Sequence, residues 1–317
     1  MRLIMMGTGS FAAPTFEGLF DTHHEIVALF TSPTVQQRSR SKVETPMRDI
    51  AVRHALPIFD PPDINSQESL ELLRSFHADL FIVCDFGYIL SPATLATAQL
   101  GGVNLHCSLL PKYRGAAPIN WTLYNGDHET GISVIHMTPK VDAGPVIAQS
   151  PPMPIAPEET AVELKERLAD LGKMYVISAI ESIEAGKLHP INQDPNLVSR
   201  APKLKKEHGH IDWNRTARQV VDHYRAMQPW PKTFTFWQHE DKEPLRLIVG
   251  PICMAECHFA SPTTPPGTVI FTEKNQLVVA TGEGAVELLM VQPSGKRLMT
   301  GAEFMRGYPI REGDLLI

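Results

Sequence analysis

The chain has 317 residues, 43% of them hydrophobic and 20% charged, with a formal net charge of −6. That length suffices for two domains with a core each, and the acidic balance excludes a generic nucleic-acid binder. Four cysteines (Cys84, Cys107, Cys253 and Cys257) are too few for a disulfide scaffold of this size and fit a reducing compartment.

The opening MRLIMMGTGSF is too short for a secretory signal and reads as a first buried strand, Arg2–Met6. Gly7, Gly9 and Ala12 then form a formal G-x-G-x-x-A before a helix that begins behind Pro14. A dinucleotide site would need a carboxylate at the end of the second strand to hold a ribose hydroxyl. That strand, EIVALF (Glu25–Phe30), ends in Thr31 and Ser32, so the glycines read as a tight strand-to-helix turn. The stretch SPTVQQRSRSKVETP follows as a basic surface loop, and PMRDIAVRH starts a helix at Pro46.

SQESLELLRSF predicts a helix capped by Ser66, and DLFIVC and GGVNLH predict strands. GISVIHM and PVIAQS suggest a further strand pair, and an amphipathic helix spans Thr160 to Glu184, ended by Gly186. Strands alternating with helices indicate an α/β fold: an open, mainly parallel, Rossmann-like sheet with helices on both faces. No apolar run approaches the roughly 18 residues of a membrane span, so a cytoplasmic protein with no membrane partner is expected.

The rhythm changes at GKLHPINQDPNLVSRAPKLKKEHGHIDW, which reads as a linker rich in proline, asparagine and lysine. We therefore expect a first domain over 1–190, a basic linker over 191–208 and a second domain over 209–317. The second domain carries one helix (ARQVVDHYRAM) and then short strands punctuated by Gly and Pro, which suggest a small barrel or sandwich. From Arg200 onward, 15 Lys and Arg face 13 Asp and Glu, whereas the first 199 residues carry 14 against 22. That asymmetry permits a polyanion to dock on the second half. CMAECH brings Cys253, Cys257 and His258 close in sequence, but the spacing matches no zinc knuckle and no second ligand pair accompanies it.

VNLHCSLLPKYRGAAPINW carries the chemistry. Asn104 and His106 lie two apart at a strand end and so share a face. In open parallel sheets ligands bind beyond the carboxyl ends of the strands. Downstream, KVDAGPVI offers Asp142 in a glycine-containing loop. An amide donor, an imidazole and a carboxylate suit acyl transfer to an amine: the amide stabilises a developing oxyanion, and the other two manage the proton. No Ser or Cys stands in an obvious nucleophile elbow, which favours direct attack by a bound amine over a covalent enzyme intermediate. Cys107 reads as a packing residue.

NLHCSLLPKYRGAAPINW, with KVDAG downstream, resembles the folate-dependent formyltransferase family. The resemblance implies 10-formyltetrahydrofolate as co-substrate, no metal, and Asn104, His106 and Asp142 as catalytic residues. It implies folate contacts from the turn Ser108, Leu109, Leu110 and Pro111, and from Phe86, Gly87 and Tyr88 in CDFGYILS. In the second half KLKKEHGHIDW, RAMQPWPKTF and LLMVQPSGKRLMTGAEF resemble the C-terminal β-barrel of members that act on methionyl-tRNA. The expected acceptor is the α-amine of initiator methionyl-tRNA, held by Arg38, Arg40 and Lys42 in the basic loop and by Lys203, Lys205 and Lys206 in the linker. A monomer is expected. Gly9 and Ser10 stand where the family commonly has a proline and an acidic residue. The rivals are a formyltransferase for amino-sugar nucleotides, a 10-formyltetrahydrofolate hydrolase-type domain, and a silent folate- or RNA-binding module.

Overall fold

Leu3, Ile4, Met5 and Met6 have no exposed surface in the computed structural model, because the strand that carries them lies between two neighbours with both faces covered. The structure describes residues 1–33, 45–238, 243–255, 264–271 and 276–317. By compactness these fall into two units. The first comprises Met1–Pro118, Glu129–Ile155 and Glu163–Pro202, and the second comprises Ile119–His128, Ala156–Val162 and Lys203–Ile317. Residues 191–202, expected as linker, thus pack as part of the first unit.

The strands of the first unit are β1 (Arg2–Gly7), β2 (Glu25–Phe30), β3 (Ile58–Phe59), β4 (Leu80–Cys84), β5 (Gly102–His106), β6 (Arg114–Gly115), β7 (Glu129–Thr130), β8 (Ser133–His136), β9 (Val146–Gln149), β10 (Met153–Pro154) and β11 (Arg200–Ala201). Seven form one sheet in the order β3-β2-β1-β4-β5-β8-β9. The pairs from β3 through β5 are parallel, while β8 and β9 run antiparallel at one edge. Parallel strands covered on both faces read as continuous apolar runs, which is why LFIVC is buried at every position. Strand order reverses between β1 and β4, and a crevice at the carboxyl ends beside such a reversal is where ligands bind in open sheets.

Helices in this part of the chain are α1 (Ala13–Leu19), α2 (Pro46–Arg53), α3 (Gln67–Ser75), α4 (Pro92–Leu95), α5 (Pro118–Tyr124) and α6 (Ala161–Glu184). The Ser66 hydroxyl caps α3 by accepting from the Ser69 N–H, as its position before an apolar period requires. The glycine-rich turn leads through a short 3-10 segment (Ser10–Ala12) into α1. A Cβ on Gly9 would lie 1.8 Å from Asp85 Oδ2, so the glycine makes room for the carboxylate.

Among its described residues the second unit contains α7 (Ala217–Ala226), α8 (Gly301–Gly307) and nine short strands, all of whose ladder pairs are antiparallel: β12 (Thr233–Gln238), β13 (Leu245–Val249), β14 (Ile252–Met254), β15 (Val269–Phe271), β16 (Val278–Ala280), β17 (Ala285–Leu288), β18 (Met290–Pro293), β19 (Met299–Thr300) and β20 (Leu315–Leu316). They form a five-stranded sheet, β19-β18-β13-β12-β20, and a four-stranded sheet, β14-β17-β16-β15. Trp237 and Leu247 from the first sheet and Val279, Val286 and Leu288 from the second share one core, joined by Val220 of α7 and Phe304 of α8. Among the described residues no helix is long and apolar enough to cross a membrane.

Candidate active site

The period-2 alternation of β5 sends Asn104 and His106 to one face and Leu105 to the other, and β4 and β8 fix their height by pairing with Asn104 through Val83 and Ile135. The turn after β5 then folds back over the strand end. Its carbonyl at Tyr113 accepts a hydrogen bond from His106 Nε2 at 2.9 Å. A carbonyl only accepts, so Nε2 carries the proton and Nδ1 is the nitrogen left to face Asp142.

Asp142 sits in the loop between β8 and β9 and closes the group. Its Oδ2 lies 3.6 Å from His106 Nδ1, and its Oδ1 lies 3.5 Å from Asn104 Nδ2. The stronger bond is to the turn: the Gly115 N–H donates to Oδ2 at 2.8 Å. His106 is 5% exposed and the Asp142 side chain 12%, so the three groups meet at the rim of the sheet with little water around the carboxylate. A charge held in such a place interacts more strongly than one in bulk solvent.

Two glycines make this approach possible. A Cβ on Gly144 would lie 1.7 Å from the His136 carbonyl oxygen. Gly115 has φ +130, and its Cβ would lie 2.4 Å from the Ala201 carbonyl. Asp142 itself holds φ +51, a left-handed conformation that aspartate adopts more readily than most residues.

The expected folate residues divide by exposure. Phe86 is buried and Tyr88 half-buried, with ring centroids 5.1 Å apart. Gly87 between them has φ +78 and no atom within 4 Å of where a Cβ would stand, which leaves open space for a flat ring. Leu109 and Pro111 are half-buried, whereas Ser108 and Leu110 are interior. Ser108 Oγ donates to the Lys112 carbonyl, and Ser133 Oγ donates to the Ser108 carbonyl, so these hydroxyls shape the turn. Gln149 Nε2 also donates to the Leu110 carbonyl.

Arg38, Arg40 and Lys42 lie outside the described residues, as do Cys257 and His258. Lys203, Lys205 and Lys206 are exposed in the second unit, Lys206 opening a 3-10 turn. Cys107 is half-buried, and burial, reinforced by Asp85, pushes its thiol far up. It therefore stays protonated, as a packing residue would. Among the described residues His23, His24 and Glu184 bring three donor atoms within 4.8 Å of one another. They precede β2 and end α6, away from the carboxyl end of β5, and Glu184 already bonds His23 Nε2 at 2.8 Å.

Sequence reasoning missed the segment after α6. Ile191 exchanges two backbone hydrogen bonds with Val146, the Tyr113 N–H donates to Ser199 Oγ at 2.8 Å, and β11 pairs in parallel with β6. Gln193 bonds Arg114 and the backbone of the Asp142 loop. Burial and the neighbouring Arg200 lower the Arg114 pKa from its ordinary value, opposed by Asp142. Nothing in the local composition of 191–201 marks it as part of a site.

Residues 1–180 match the family model described as Formyl transferase, and residues 203–309 match Formyl transferase, C-terminal domain. A methionyl-tRNA formyltransferase of Rhodopirellula baltica is 41% identical over all of this chain and 97% of its own length. One from Trichlorobacter lovleyi is 36% identical with the same coverage. Among solved structures, the sugar 3N-formyl transferase WlaRD, crystallised with dTDP and 5-N-formyl-THF, superposes with a TM-score of 0.66 at 15% identity, covering 94% of this chain and 99% of its own. HypX of Aquifex aeolicus with tetrahydrofolic acid gives 0.63 at 16% identity, covering all of this chain and 50% of its own. At those identities the likeness is one of fold.

Proposed function

The chain belongs to the formyl transferase family, and we propose that it transfers the formyl group of 10-formyltetrahydrofolate to the free α-amino group of initiator methionyl-tRNA. The folate supplies an activated formyl carbon, and the residues of this chain do the rest. Asn104 Nδ2 donates to the formyl oxygen as charge develops on it, a contact typically worth about 3 kcal/mol in the transition state. Asp142 draws the proton from the attacking amine, directly or through water, with His106 Nδ1 as its partner. As the bond from the formyl carbon to the folate nitrogen breaks, that nitrogen takes up a proton and leaves as tetrahydrofolate. Free α-amines titrate near 7.7–8.0 and the aminoacyl ester lowers that, so neutral amine is present at pH 7. No step needs a metal.

Phe86, Gly87 and Tyr88 wall the pterin, and the turn Ser108, Leu109, Leu110 and Pro111 supplies further folate contacts. Lys203, Lys205 and Lys206, together with Arg38, Arg40 and Lys42, contact tRNA phosphates. The observation that supports this acceptor over an amino sugar is the full-length likeness to methionyl-tRNA formyltransferases, the second unit included. The test is formylation of charged initiator tRNA with and without 10-formyltetrahydrofolate. Folate-dependent N-formylmethionyl-tRNA supports the reading, and its absence with folate bound rejects it.

A further inference from the structure

We propose that Gln193 is a positioning residue for the reaction, holding Asp142 at its working distance from Asn104 and His106. The inference rests on the reading of Asp142 as catalytic. Gln193 Nε2 donates to the Asp142 carbonyl at 2.9 Å and to the Gly144 carbonyl at 2.7 Å. Its Oε1 accepts from Arg114 Nε at 2.9 Å and from Arg114 Nη2 at 2.8 Å. Both amide hydrogens and both oxygen lone pairs are therefore used. The amide orientation is forced, because carbonyls only accept and a guanidinium only donates.

One side chain thus grips both sides of the carboxylate. On one side is the loop that carries Asp142, whose backbone holds φ +51 at that residue. On the other is Arg114, which precedes Gly115, the donor to Asp142 Oδ2. Gln193 is itself fixed by the Ile191–Val146 backbone pair at 2.9 Å in each direction. It bonds no atom of Asn104 or His106, so it acts through the loop. A left-handed residue keeps its conformation only where its surroundings over-determine it, and this amide supplies two of the bonds that do so.

Gln193→Ala removes all four bonds, and Gln193→Met removes them while keeping the volume. The measurements are kcat, KM for each substrate, melting temperature, and a double-mutant cycle with Asp142→Ala. We expect kcat to fall about 10- to 100-fold, as for a displaced catalytic group, with both KM values changed by less than about twofold. In the Asp142→Ala background the same substitution should cost less than about threefold, because the group it positions is gone. If Gln193→Ala is too unstable to purify, the Met variant carries the same expectations. The inference is overturned by a kcat within about twofold of the parent, by a loss confined to KM, or by the full loss recurring without Asp142. A parent protein inactive on methionyl-tRNA would instead reject the acceptor assignment.

Discussion

Asp142→Asn is the substitution whose consequence the geometry specifies most closely. One of the two amide atoms must replace Oδ2, which accepts the Gly115 N–H at 2.8 Å. An NH2 there would set donor against donor, so the amide oxygen takes that place. The NH2 then stands where Oδ1 was, 3.5 Å from Asn104 Nδ2, and again donor faces donor. His106 Nδ1 loses the charge that faced it at 3.6 Å. The variant therefore lacks a proton acceptor for the amine and disturbs the oxyanion donor. A positioned acid–base group contributes about 10²–10⁴ in rate, so kcat should fall about 10³-fold, or roughly 4 kcal/mol of barrier. Folate affinity should change little, since the roles peak in the transition state. Steady-state formylation beside calorimetric folate binding reads both quantities. A kcat within about tenfold of the parent would refute the assignment of Asp142 as the proton acceptor.

Neutralising Arg38, Arg40 and Lys42 together should raise KM for tRNA and flatten its salt dependence by about 0.7–0.9 in log-log slope for each phosphate left without its cation; an unchanged slope returns the loop to a solvated surface. Gly144→Ala would put a Cβ 1.7 Å from the His136 carbonyl, so the Asp142 loop must shift, and kcat should fall with folate binding largely kept. His223 is held at about 4, chiefly by burial, against an ordinary 6.5. The unfolded chain then binds a proton that the folded chain refuses, so stability falls as pH drops from 6.5 to about 4, by up to about 3 kcal/mol. In melting curves over that range His223→Gln, which can still donate to the His208 carbonyl, should lose most of that difference.

The parallel sheet was legible because burial on both faces leaves apolar runs such as LFIVC that no exposed element could carry. Asn104 and His106 were legible for a similar reason, since two residues apart on a strand means one face. Asp142 is 38 residues from Asn104, and only the folding of β8 and β9 beside β5 brings it near; its glycine-containing loop made it a candidate in the sequence, and the family resemblance tied it to Asn104 and His106. Gln193 and Ser199 left no sign. Their segment is irregular, and composition reports irregular backbone without reporting what pins it. It read as a tether, yet Ile191, Gln193, Ser199 and Arg200–Ala201 each bond to the first unit. α8 was missed although Thr300 and Glu303 form a capping box that the sequence displays, because one short turn carries too little periodicity to stand out among strands. The compact units also interleave along the chain, with 119–128 and 156–162 belonging to the second, which no contiguous reading of boundaries can express.

A folate-dependent formyl transfer directed at aminoacyl-tRNA has to discriminate that acceptor from an amino sugar. The measurement is a competition in which one preparation of the full chain is offered two acceptors, initiator methionyl-tRNA and a dTDP-linked amino sugar, with 10-formyltetrahydrofolate as the sole donor. The ratio of products gives the ratio of kcat/KM values. N-formylmethionyl-tRNA should be in excess by several orders of magnitude, and its rate of formation should fall roughly 100-fold in Asn104→Ala. Preferential formylation of the sugar, or equal formylation of both, would contradict it.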